Sequence, residues 1–129
     1  MTTADQIVAH CVGDYLLQSD WMANEKTKRH VPALAHAVVY SLSFLLFRPS
    51  LLAFAVILGT HFFIDRYRLA RYVVFAKNFI APSSVWPVWA NCVGTGYPSE
   101  RPPWLAVWLL IIADNILHIV INGAALRWL

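Results

Sequence analysis

Apolar residues fall in four blocks along the chain, and every block carries polar residues at helical spacing. In residues 4–22, Ile7, Val8, Cys11, Val12, Tyr15, Leu16 and Leu17 make one broad face, while His10, Asp14 and Gln18 recur four apart. At 100° per residue that polar stripe drifts only about 40° per step. Such a segment is a poor membrane span by hydropathy alone. It suits an interfacial helix, a re-entrant one, or a span whose stripe partners cover. The last fits best, because the other blocks carry matching stripes.

The second block, residues 32–47, begins at Pro32, which suits a first helical turn, and carries His36 with Tyr40 one turn on. It is short for the roughly 20 residues a span usually needs. Arg48, Pro49 and Ser50 form a tight connection that makes the flanking helices antiparallel neighbours. From that turn His36 lies twelve residues back and His61 eleven forward, so a hairpin puts them at nearly equal depth. The third block, residues 51–71, starts as an uninterrupted apolar run, then presents His61 and Asp65, then Arg66, Arg68 and Arg71. Residues four apart share a helix face about 6 Å apart along the axis. A buried Asp at mid-bilayer costs about 2.5–3.5 kcal/mol, so the pair is expected to face a bundle interior. Residues 72–103 read as a possible surface helix and then a loop holding five of the seven prolines, with Trp86, Trp89 and Tyr97 suited to the headgroup layer. The fourth block, residues 104–126, is the clearest span and holds Asp114, His118 and Asn122 four apart.

Composition turns these blocks into a membrane reading. The 129 residues are 59% hydrophobic and 13% charged, with a mean hydropathy of +0.55; soluble domains run at about 45–50% and about 25%. The net charge of +3 could suggest nucleic acid, but the basic residues sit at the ends of apolar blocks and no RNA-binding motif accompanies them. Cys11 and Cys92 form no metal or redox pair. No signal peptide is expected at the N-terminus. With four spans, Lys26, Lys28, Arg29, Arg66, Arg68, Arg71, Lys77 and Arg101 lie on one side, and Arg48 and Arg127 on the other. The first side is expected to be cytoplasmic and both termini outside.

Four helices thus offer inward-facing groups: His10 and Asp14, His36, His61 and Asp65, Asp114 and His118. Imidazoles and carboxylates ligate zinc, manganese or iron, and i,i+4 pairs grip a metal from one face. Four His and three Asp exceed the ligands of one tetrahedral zinc. Two arrangements remain: a two-metal site, or one metal with outer carboxylates holding the imidazoles. In a hydrolytic role the metal lowers the pKa of a water, with Asp14 or Asp65 as general base. The same residues could instead form a hydrogen-bonded structural core, or a proton or ion relay. One pair alone favours the core; three pairs with His36 favour a metal. Gln18 and Asn122 read as orienting groups, Arg66, Arg68 and Arg71 as topology anchors, and Cys11 points about 100° away from His10.

The string His10-x-x-Gly13-Asp14-Tyr15-x-Leu17-Gln18-x-x-Trp21-Met22, followed by Lys26 and His36, resembles the domain-of-unknown-function 3307 family of bacterial and phage membrane proteins. His61-Phe62-x-Ile64-Asp65-Arg66 and Asp114-Asn115-x-x-His118 are similar to its later blocks, with Asn115 standing where many members carry Gln. The resemblance covers most of the chain and implies a small polytopic protein of the bacterial inner membrane, of phage or host origin. By analogy, membrane-bound metal-dependent hydrolases also carry His and Asp on their helices. The expected fold is all-α: an integral membrane four-helix bundle with a cytoplasmic interfacial segment and loop between helices 3 and 4. The leading functional expectation is a divalent-metal-dependent hydrolase of a lipid-linked or membrane-embedded substrate. A non-catalytic membrane protein with a structural polar core, or a small ion conduit, are the alternatives.

Overall fold

A computed structural model describes residues 3–129. The first apolar block does not form the single helix expected over residues 4–22. Helix α1 (Thr3–Cys11) runs into a π-helical turn, Val12–Leu16, closed by the Leu17 N–H on the Val12 carbonyl at 3.0 Å. A Cβ on Gly13 would stand 2.5 Å from Tyr40 Cδ2 and 3.1 Å from Tyr40 Cα, so only glycine admits this approach. Beyond the turn, Gln18, Ser19 and Asp20 offer the backbone competing polar partners. Ser19 restarts the chain as α2 (Asp20–Glu25), its Oγ accepting from Met22 N at 3.3 Å. The basic segment expected as a loop from Asn24 therefore begins inside a helix.

Helix α3 (His30–Leu42) continues as a 3₁₀ turn, Ser43–Phe47, and ends at Arg48 in the left-handed region, φ 50°. Ser50 Oγ caps α4 (Leu51–Tyr67) by accepting from Ala53 N at 3.0 Å. This helix stops four residues short of the expected end at 71, because Arg68 adopts φ 53° and turns its N–H back to Asp65 O at 3.2 Å. The hairpin count holds: His36 and His61 meet across α3 and α4.

Much of what these helices bury is polar or small, with Tyr40, Ile57 and Ile64 the large apolar exceptions. Along α3 the buried residues are Pro32, Ala33, His36, Ala37, Tyr40 and Ser41, while Leu34, Val38 and Leu42 are exposed. On α4, His61 and Asp65 are buried and Leu51, Leu52 and Phe63 exposed. A helix on a water-soluble core does the reverse. Tyr40, Phe44 and Ile57 pack with Ala9, Ala53 and Ala125 as the apolar part of the interior. Two stretches are long and apolar enough to cross a membrane, His30–Phe47 and Pro103–Trp128, and only 11% of the latter's most apolar window is buried. Of the other two expected spans, α1 has 9 residues and α4 has 17, against the roughly 20 a span requires.

The chain up to Arg68 together with His118–Leu129 forms one compact unit, and Leu69–Leu117 forms a second. The second is built on α5 (Ala70–Lys77), three short 3₁₀ turns and the first part of α6 (Pro103–Trp128). Segment 72–103 is thus folded rather than open: Arg71 Nη1 donates to Val93 O at 3.0 Å and Asn78 Nδ2 to Gly96 O at 2.9 Å. Gly96, at φ 86°, lies directly on the Arg71 carbonyl and Val74. Cys92 is buried there, and that burial, with the Glu100 carboxylate beyond it, pushes its thiol pKa up.

Candidate metal centre

Three segments of the first unit bring four side chains to one point. Asp14 enters from the π turn, His36 from α3, and His61 and Asp65 from successive turns of α4. His36 Nε2 and His61 Nε2 stand 3.0 Å apart. Asp14 Oδ1 lies 3.2 and 3.4 Å from those two nitrogens, and Asp65 Oδ2 lies 3.2 and 3.3 Å from them. Ligands held about 2.0–2.1 Å from a tetrahedral zinc stand about 3.3–3.4 Å from each other. The separations within the Asp14–His36–His61 trio are close to that spacing, as are those from Asp65 to the two imidazoles, and all four side chains are buried. Asp14 Oδ1 accepts no hydrogen bond, although two imidazole nitrogens face it.

A second shell grips both carboxylates. Asn122 Nδ2 donates to the Tyr40 hydroxyl at 2.5 Å, and that hydroxyl lies 2.8 Å from His10 Nδ1. With the phenol oxygen accepting from Asn122, its hydrogen is free for His10 Nδ1. The His10 Nε2 hydrogen is then directed at Asp14 Oδ2, 3.5 Å away. Asp65 is held on both sides: Lys26 Nζ reaches Oδ2 at 2.7 Å, and His118 Nε2 lies 3.3 Å from Oδ1. Metal-bound imidazoles usually donate their far N–H to an oxygen. His36 Nδ1 and His61 Nδ1 have no such partner. Packing orients the His61 ring instead, since Tyr40 stacks on it with centroids 3.6 Å apart and planes at 14°.

Among the described residues, two groups lie close enough to share an ion: Asp14, His36 and His61, and His61, Asp65 and His118. Of the seven sequence candidates, five therefore sit at ligand distance and His10 backs Asp14 from outside. Asp114, four residues before His118 on α6, is in neither group and belongs to the second unit. Sequence reasoning missed Lys26 and Tyr40. Lys26 was read as a topology charge; Tyr40, one turn beyond His36, carried a signal in its spacing.

The sequence profile of a family described as "Protein of unknown function (DUF3307)" matches residues 3–125. Comparison with curated proteins gave no match, and neither did comparison with solved structures. The match spans nearly the whole chain and includes every member of the His–Asp cluster, so the protein belongs to the DUF3307 family.

Proposed function

We propose that the protein binds a divalent metal ion, zinc or else manganese or iron, through Asp14, His36 and His61, and hydrolyses a membrane-embedded or lipid-linked substrate. The convergence of two imidazole nitrogens and two carboxylate oxygens at 3.0–3.4 Å carries this reading. Hydrolytic zinc keeps three protein ligands and one exchangeable position. Asp65 lies against both imidazoles outside that trio, and Lys26 and His118 give both its oxygens other partners. It can therefore act as general base towards a water in the ion's open position. The ion, when bound, supplies Lewis acidity that lowers the pKa of such a water. Exposed leucines around a polar interior support a membrane setting, with the Lys26–Arg29 side facing the cytoplasm of a bacterial inner membrane.

The test is elemental analysis of full-length protein purified in detergent without added metal, with melting measured with and without a chelator. One metal per chain and a chelator-dependent fall in Tm are expected. Hydrolysis is then assayed on radiolabelled phospholipid and polyprenyl diphosphate, with Asp65→Asn expected to retain metal and lose turnover. The Lys26–Asp65 ion pair at 2.7 Å favours a second reading, a non-catalytic polar core that needs no ion. Absent metal and an unchanged Tm would leave that reading standing and remove the first.

A further inference from the structure

The second unit carries a site of its own. A pocket of about 550 Å³ has Lys77, Asn78, Tyr97 and Arg101 in its lining together with the apolar Ile80 and Val85. That volume falls in the range of small-molecule sites, about 300–1,000 Å³. No carboxylate lines it. Lys77 Nζ lies 5.0 Å over the Tyr97 ring, and neither Lys77 nor Arg101 has an acidic partner among the described residues. Asn78 is already committed to Gly96 O, so the two cations are the unspent polar groups.

The apolar wall is unusual in the opposite sense. Ile80 is 89% exposed and Val85 64%, and beside them Phe79 and Trp86 pack edge to face at 5.2 Å while both remain exposed. The Trp86 indole is pinned by its Nε1–H on Ala81 O at 2.7 Å, which holds this rim rigid. A cationic pocket bordered by a fixed apolar ridge matches a phospholipid at the bilayer surface. Aromatic and aliphatic side chains enter the acyl boundary there while Lys and Arg meet phosphate.

We propose that this pocket is a headgroup site for an anionic phospholipid, its phosphate between Lys77 and Arg101 and its acyl chains along Ile80 and Val85. The site is independent of the His–Asp cluster and does not depend on the protein binding metal. The test uses the full-length protein in non-ionic detergent, titrated with phosphatidylglycerol or phosphatidylcholine, with bound lipid counted by native mass spectrometry. Phosphatidylglycerol is expected to be retained about tenfold better, and K77Q/R101Q should erase that preference while leaving the circular dichroism unchanged. K28Q/R29Q removes the same charge from the first unit and should leave the preference intact. Equal retention of both lipids, a preference that survives K77Q/R101Q, or one lost equally in K28Q/R29Q would overturn the proposal. So would displacement of phosphatidylglycerol by equimolar inorganic phosphate, which would make the occupant a free anion. Should K77Q/R101Q fail to fold, Ile80→Ser keeps both cations and is expected to weaken phosphatidylglycerol retention severalfold; unchanged retention would again reject a lipid.

Discussion

His36 Nε2 and His61 Nε2 stand 3.0 Å apart and both face the Asp14 and Asp65 carboxylates, the arrangement that a shared cation would satisfy. His61→Ala is expected to abolish metal content, while Leu58→Ala on the same helix retains it, measured as metal per chain after purification. Metal should also be lost as pH falls towards the ordinary imidazole range, about 6.5, since ligating imidazoles must be neutral. A metal content flat from pH 8 to pH 5 would argue against His ligation. His10→Ala removes the imidazole behind Asp14 and should weaken metal affinity by about 10–100-fold, the usual scale for a partner of a metal ligand. The inner ligands were legible because i,i+4 spacing puts His61 with Asp65 on one face and the short turn brings His36 opposite. Lys26 was not, because a lysine in a basic run serves topology equally well. Only the folded chain reveals that this one turns inward to Asp65.

At the level of elements, Asp14 reaches the cluster from the π turn, a kind of turn that recurs at functional sites. Gly13 keeps that turn against Tyr40. Gly13→Ala should overpack this contact and cost about 1–3 kcal/mol, read as a fall in Tm together with lower metal content. An alanine variant with wild-type melting and full metal loading would mean the close approach is dispensable. Hydropathy periodicity reported the α3–α4 hairpin but not the π turn, because the four-residue spacing of His10, Asp14 and Gln18 reads equally as a slowly drifting α-helical stripe. The break before α2 did leave a trace, Ser19 at a cap position, which a reading based on the polar stripe alone passes over. Likewise Arg68, a non-glycine in the left-handed region, ended α4 where composition suggested continuation.

For the whole molecule, the inverted burial pattern was legible in composition and a surface helix was expected where α5 lies, whereas the division into two units was not legible, since the proline-rich segment has no apolar periodicity to announce its turns. The eight-to-two division of basic residues supports the proposed orientation. In spheroplasts, Lys28→Cys in a Cys11→Ser background should be labelled by a membrane-permeant maleimide and not by an impermeant one; labelling by the impermeant reagent would invert the assignment. Cys92 should stay silent in that experiment, its buried thiol held in the protonated form. The bracing of Asp65 by His118, 53 residues further along the chain, and of Tyr40 by Asn122, 82 residues further, also fixes an order of events at the ribosome. Asp14, His36, His61 and Asp65 are all synthesised before the second unit. Their late braces follow Asp65 by about 3–10 s of elongation. On the proposed metal reading, a nascent chain halted in that interval holds every inner candidate ligand while one carboxylate still lacks its histidine brace.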